Sequence, residues 1–94
     1  MSAYFDPYHR WLAIPPGEQP PDHYRLLGGK QFEVNLDVIE SAADRQMAHV
    51  RSFQSGEHAE DSQRILNEIS AARLTLLDAG KKSAYDAHLQ AKTN

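Results

Sequence analysis

The sequence predicts an all-α domain in which two long helices form an antiparallel hairpin, flanked by a short first helix and a short last helix and preceded by an N-terminal aromatic arm. Two segments carry apolar residues at the spacing of one helix face, the pattern of amphipathic helices. Residues that begin and end helices lie between these segments, and no segment alternates apolar and polar residues as a strand would. A chain of 94 residues is long enough for one small domain.

Composition argues against several functional classes. The chain has no cysteine, so it offers neither a disulfide nor a thiolate metal ligand, which favours the reducing cytoplasm. Its net charge of −3 argues against a dedicated nucleic-acid-binding protein. The sequence contains no run of about 18 apolar residues, and its first residues lack the layout of a signal peptide. We therefore expect a cytoplasmic protein without nucleic-acid or membrane contacts.

Residues 1–21 are interpreted as the aromatic arm and a proline-rich linker. Asp6 followed by Pro7 is typical of a helix start, so a short helical turn through Trp11 is expected. This turn should end before residues 15–21, which we expect to form an extended linker. Because large aromatic side chains are mostly buried, Trp11 favours an arm that packs on the domain. The alternative is an exposed arm that docks on a partner or on a second copy.

Residues 22–91 are predicted to form the helical domain. Asp22 should cap a short helix that Gly28 closes, and Asn35 should cap the first long helix. Val34, before this cap, is expected to pack on the apolar stripe as a hydrophobic staple. The stripe comprises Ile39, Ala43, Met47, Val50 and Phe53.

A polar corner at residues 57–61 separates the first long helix from the second. The second long helix should stop near Asp78, because Gly80 follows. Asp78 should then cap a shorter helix with Tyr85 on its apolar face, and residues 92–94 should fray. The apolar face of the second long helix comprises Leu66, Ile69, Ala72 and Leu76.

The short first helix, the second long helix and the last helix carry a set of residues that resembles a known family. The set comprises Tyr24 with Leu27-Gly28, and then Ile69, Ala72, Leu76, Asp78, Lys81, Tyr85 and Asp86. It resembles the J domain of DnaJ-type co-chaperones, whose first helix has a tyrosine and a Leu-Gly pair. The third helix and closing turn of that family match residues 69–86 without a gap. The resemblance covers about residues 22–90 and implies a J-domain fold.

The chain departs from this family where J domains act on their partner. J domains stimulate a heat-shock ATPase through a His-Pro-Asp tripeptide after the second helix and through a basic face on that helix. Here the tripeptide position holds residues 51–53 (Arg-Ser-Phe) or, in a shifted alignment, residues 49–51 (His-Val-Arg). Acidic residues also outnumber basic ones over residues 35–53, which removes the electrostatic steering. The resemblance therefore implies a J-like fold without co-chaperone activity.

The whole chain also resembles J-like modules at the N-termini of large bacterial signalling proteins, among them serine/threonine kinases. That resemblance implies a non-catalytic protein–protein interaction module whose partner is another protein or a further domain of a longer parent chain. Two alternatives remain open. One is a divergent but active co-chaperone that uses the segment from His49 to Phe53. The other is a helical nucleic-acid-binding domain, which the acidic charge disfavours.

Residues for catalysis or cofactor binding are not apparent. The five histidines form neither a helical pair four residues apart nor a His-x-His clip, and no Gly-rich phosphate loop or Ser-His-acid set can be identified. His58 with Glu57, Glu60 and Asp61 is the nearest approach to a metal cluster, and a solvated helix start is the favoured explanation of it. We therefore expect a non-enzyme without a cofactor.

The candidate interaction residues are His49, Arg51, Phe53, Trp11 and Leu74. The first three lie at the position of the missing tripeptide, although His49 on its own favours a plain surface or boundary histidine. Leu74 lies on the face of the second long helix opposite the apolar stripe. Either it is covered by the aromatic arm, or it forms a binding surface with Trp11 for self-association or for a partner.

Overall fold

The computed structural model describes residues 5–93, and every regular element in them is helical. The five α-helices are α1 Pro7–Leu12, α2 His23–Leu27, α3 Leu36–Arg51, α4 Ala59–Leu76 and α5 Ala79–Thr93. No strand occurs among the described residues, so the predicted all-α fold class is confirmed. Residues 1–4 of the expected arm and Asn94 of the expected tail lie outside the described residues.

Helices α3 and α4 pack side by side in opposite directions. At one end, the guanidinium of Arg73 in late α4 lies 2.9 Å from the carboxylate of Glu40 in early α3. At the other end, the Ser62 hydroxyl in early α4 donates a 2.8 Å hydrogen bond to the backbone carbonyl of Val50 in late α3. Ser62 is fully buried, so this bond avoids the cost of an unsatisfied polar group in the core.

The core lies where the apolar faces of α3 and α4 meet α2. In α3, Ile39, Ala42, Ala43 and Val50 are buried. In α4, Ile65, Leu66, Ile69, Ala72 and Leu76 are buried. Tyr24, Leu26 and Leu27 of α2 and Leu89 of α5 complete the packed cluster. The apolar stripes therefore identify the buried faces of both long helices, as periodic apolar spacing predicts.

Polar side chains cap four of the five helices, each as predicted. The side-chain oxygens of Asp6, Asp22, Asn35 and Asp78 accept hydrogen bonds of 2.9–3.2 Å from backbone amides two or three residues later. No side chain caps α4, whose first turn instead contains Glu60 and Asp61, where negative charge suits the helix dipole.

The last helix and the linker differ from the prediction. Helix α5 is 15 residues long rather than short, and it includes Lys92 and Thr93 of the expected tail. Gly80 is its second residue, a position whose amide has no intrahelical partner to lose, so the Asp78 cap prevails over the glycine. The expected extended linker instead contains a 3-10 turn at Pro16–Glu18.

Two side chains explain the local geometry around these segments. The Gln19 amide donates hydrogen bonds to the Asp6 carboxylate at 2.9 Å and to the Ile14 carbonyl at 3.1 Å, which folds the linker back onto α1. Val34 is 83% exposed, so the staple expected at the start of α3 is not formed. The Asn35 side chain begins that helix by accepting from the Asp37 amide, and the Glu33 carboxylate accepts from the Asn35 amide at 3.0 Å.

Tyrosine hydroxyls join α5 to α2. The Tyr24 hydroxyl donates a hydrogen bond to the Asp86 carboxylate, which also pairs with the Lys82 ammonium at 2.8 Å. The His23 backbone amide donates to the Tyr85 hydroxyl at 2.8 Å, and the two rings stack with centroids 4.2 Å apart. Burial, together with the Asp86 carboxylate, raises the pKa of Tyr24 above its ordinary value.

Candidate functional site

The five candidate interaction residues fall on two separate parts of the molecule. Trp11, His49 and Phe53 meet at the end of the α3–α4 hairpin where the two helices connect. Arg51 and Leu74 line an open groove on the outer face of the hairpin. The structure therefore separates Trp11 from Leu74, which the sequence had suggested as two parts of one surface.

The first site is the aromatic cluster, defined by Phe5, Trp11, Phe53 and His58. The Trp11 and Phe53 rings stack with centroids 4.4 Å apart and planes 11° from parallel. Phe5 meets Trp11 edge-on at 5.2 Å and stacks on the His58 ring at 3.8 Å. Trp11 is only 8% exposed as a result. The described part of the N-terminal arm, from Phe5 onwards, therefore packs on the domain and covers the connection between α3 and α4.

His49 holds the arm from its other side. Its Nε2 atom lies 2.9 Å from the backbone carbonyl of Trp11, and its ring meets Phe53 edge-on at 5.4 Å. The carbonyl accepts only if Nε2 carries the proton, so this contact selects that tautomer. His49 thus positions the arm within its own chain.

Tyr8 anchors the arm to α4. Its hydroxyl donates a hydrogen bond to the Glu68 carboxylate, and the Arg64 guanidinium lies 5.9 Å from the centre of its ring. Burial and the bond to Glu68 raise the pKa of Tyr8 to about 12, because the phenolate would lie beside a carboxylate. The arm is therefore held by polar bonds as well as by aromatic packing.

The second site is the α3–α4 groove, lined by Asp44, Met47, Arg51, Ser70, Arg73 and Leu74, with a volume of about 440 Å³. Leu74 is 66% exposed, so the expectation that the arm covers it is wrong. The reason is geometric: the arm is held at the hairpin connection by Phe53 and His58, whereas Leu74 lies near the opposite end of α4.

The charged side chains that line the α3–α4 groove differ in whether they form an ion pair. Arg73 pairs with Glu40 at 2.9 Å. Within residues 5–93, the side chains of Asp44 and Arg51 have no ion-pair partner. Sequence reasoning selected Arg51 and Leu74 but missed Asp44, whose signal is its spacing of seven residues from Arg51, which places both on one helix face.

Another exposed apolar patch was also missed. Val34, Leu36 and Val38 all remain exposed around the start of α3, and the first two line a shallow groove against α5. The sequence analysis expected Val34 to pack as a hydrophobic staple, so it did not predict that this side chain is exposed. Within the described part of the chain, no group of three or more histidine, aspartate or glutamate side chains is arranged to hold a metal ion.

Compared with models of protein families, with curated proteins and with solved structures, the chain matches none of them. Over residues 5–93, none of the helices combines the length and the apolar character that crossing a membrane requires.

Proposed function

We propose that the chain is a non-catalytic protein–protein interaction module with a degenerate J-domain fold, which does not stimulate a heat-shock ATPase. The observation that carries the proposal is the packing of Phe53. This residue stands at the expected tripeptide position, and its ring stacks on Trp11 of the chain's own arm. The surface that a J domain would offer to its ATPase is therefore occupied from within.

The residues that carry the J-domain resemblance support the proposal by their contacts. Tyr24 of α2 bonds Asp86 of α5, and both belong to the matched set. Ile69, Ala72 and Leu76 are fully buried in the core. The matched residues thus stabilise the fold of this chain, which is consistent with a retained J-like scaffold.

The charge of α3 supports the loss of co-chaperone activity. The helix contains Asp37, Glu40 and Asp44 against Arg45 and Arg51. Four of these side chains are exposed without an ion-pair partner among the described residues, and Glu40 pairs with Arg73. A partner with an acidic docking surface would gain little attraction from such a mixed helix.

A steady-state ATPase assay with a bacterial heat-shock chaperone tests the proposal. The chain should leave the rate at its basal value, whereas a J domain that carries His-Pro-Asp should raise it under the same conditions. Trp11→Ala provides the sharper comparison, because it removes the ring that covers Phe53. This variant should also leave the basal rate unchanged, since the chain lacks His-Pro-Asp whether or not Trp11 covers Phe53.

Stimulation by the unmodified chain would refute the proposal. If Arg51→Ala then removed the signal, the divergent co-chaperone would be the correct alternative. Stimulation by Trp11→Ala alone would mean that the arm inhibits a competent loop, which the proposal also forbids. Arg45→Ala serves as the matched control, because it removes an exposed arginine from the same helix outside the groove and the cluster.

The partner proposed for this module is another protein or a further domain of a longer parent chain. We also place the chain in the cytoplasm, since a sequence with no cysteine suits a reducing compartment. Fluorescence imaging of a tagged chain with a compartment marker would test that location.

A further inference from the structure

The α3–α4 groove is an exposed apolar feature of the hairpin that belongs to neither the core nor the arm. Leu74 is 66% exposed on one side, and Met47 is half-buried on the other. All six lining residues come from α3 and α4, so α1, α2 and α5 leave the groove open. Exposed apolar surface rimmed by charged side chains is typical of an interaction site.

The charges on the rim have a regular arrangement. Asp44 and Arg51 are seven residues apart on α3, which places them on one face about 10.5 Å apart along the helix axis. They do not pair with each other, and the only other cation of the groove, Arg73, is already paired with Glu40. The groove therefore presents one negative and one positive charge that both lack a partner in the described residues.

A surface with one acid and one arginine at this spacing is complementary to the same surface of a second copy. If two copies meet across a two-fold axis that passes between Asp44 and Arg51, each acid faces the arginine of the other copy. The axis then crosses α3 at Met47 and Ala48. Ala48 is exposed and small, so it allows two α3 helices to approach closely.

We propose that the α3–α4 groove is a self-association interface, in which α3 of a second copy packs antiparallel to α3 and pairs Asp44 of each copy with Arg51 of the other. The side chains of Met47 and Leu74 in both copies are then removed from water and pack against apolar surface of the other copy, around the charged pairs. The buried surface is small, so association is weak and depends on concentration. This inference deepens the interaction role proposed above and rests on it.

Sedimentation equilibrium on the full chain, up to about 1 mM, tests the interface. The average mass should rise from the monomer value of 10.6 kDa towards twice that value. Arg51→Glu and Asp44→Arg should each weaken self-association at least tenfold, because each places like charges opposite one another. Leu74→Ser should also weaken it, through the loss of apolar contact.

Mixing the two charge variants provides the decisive measurement. Asp44→Arg and Arg51→Glu should each stay monomeric alone and should form a heterodimer when mixed, because the mixture restores both pairs. Arg45→Glu is the matched control: it makes the same charge change on α3 outside the groove and should associate like the unmodified chain. Circular dichroism of each variant checks that the helices are intact.

Several results would overturn the proposal. A chain that remains monomeric at about 1 mM would show that the groove does not bind a second copy. Charge variants that lose association without rescue on mixing would show that the copies meet elsewhere. The ATPase assay does not measure self-association, so a chain that stimulates the ATPase and also forms this dimer would refute the proposed function alone.

Discussion

Replacing Trp11 with alanine should lower the free energy of unfolding by about 3 kcal/mol. Removal of a buried tryptophan typically costs about 3–5 kcal/mol, and Trp11 is only 8% exposed. The lower end applies because the arm lies at the edge of the molecule, where it can shift to fill part of the space. For a chain of 94 residues, this loss lowers the melting temperature by about 12–24 °C.

Urea denaturation followed by circular dichroism measures this loss. Arg10→Ala is the matched control, since Arg10 lies beside Trp11 in α1 but is exposed, and its replacement should change stability by less than about 0.5 kcal/mol. A double-mutant cycle with Phe53→Ala should give a coupling of about 0.5–1.5 kcal/mol for the stacked rings. A loss below about 0.5 kcal/mol for Trp11→Ala would refute the packed arm.

Three further predictions use the same denaturation assay. Ile69→Ala should cost about 2–5 kcal/mol because Ile69 is fully buried, whereas Leu74→Ala should cost less than about 0.5 kcal/mol; similar losses would contradict the assigned faces of α4. Gly28→Ala should cost about 1–2 kcal/mol, since φ is 75° and a Cβ would lie 3.3 Å from the Gln46 side chain. Gly29→Ala, with its nearest contact at 3.8 Å, is the control, and an equal loss there would exclude backbone strain as the cause. Stability should fall from about pH 10 to pH 12, because the folded state raises the pKa of Tyr8 to about 12 and keeps a proton that the unfolded chain releases. Tyr8→Phe should make that fall shallower, and an unchanged slope would contradict the role of Tyr8.

The features that the sequence predicted correctly are those with local causes. Asp22 and Asn35 begin helices because their side chains bond amides a few residues away. The stripe that includes Ile69 and Leu76 is buried because its spacing matches one helix turn. These signals depend on short stretches of chain, and they were sufficient to predict two long helices and their buried faces.

The features that the sequence missed depend on contacts between distant residues. Trp11 stacks on Phe53, and no local pattern indicates which surface an aromatic arm will choose. The arm was free in principle to cover Leu74, and it covers the hairpin connection instead. The α3–α4 groove was likewise predicted only in part. Arg51 was selected because it aligns with the missing tripeptide, whereas Asp44 lies outside that aligned segment and was not selected.

The positions compared with the J-domain family are matches and departures, and the two kinds differ in their contacts. Gly28 adopts a left-handed φ of 75° that ends α2, and the Tyr24 hydroxyl bonds Asp86, which joins α2 to α5. Contacts within the chain explain such matches, which therefore carry no information about a partner. Residues 51–53 differ from that family, and their side chains make contacts of another kind: the Ser52 hydroxyl donates to the His49 carbonyl at 2.6 Å where α3 ends, and the Phe53 ring stacks on Trp11. These contacts do not require the side chains of a J domain, which is why we propose the J-like scaffold separately from the absence of co-chaperone activity.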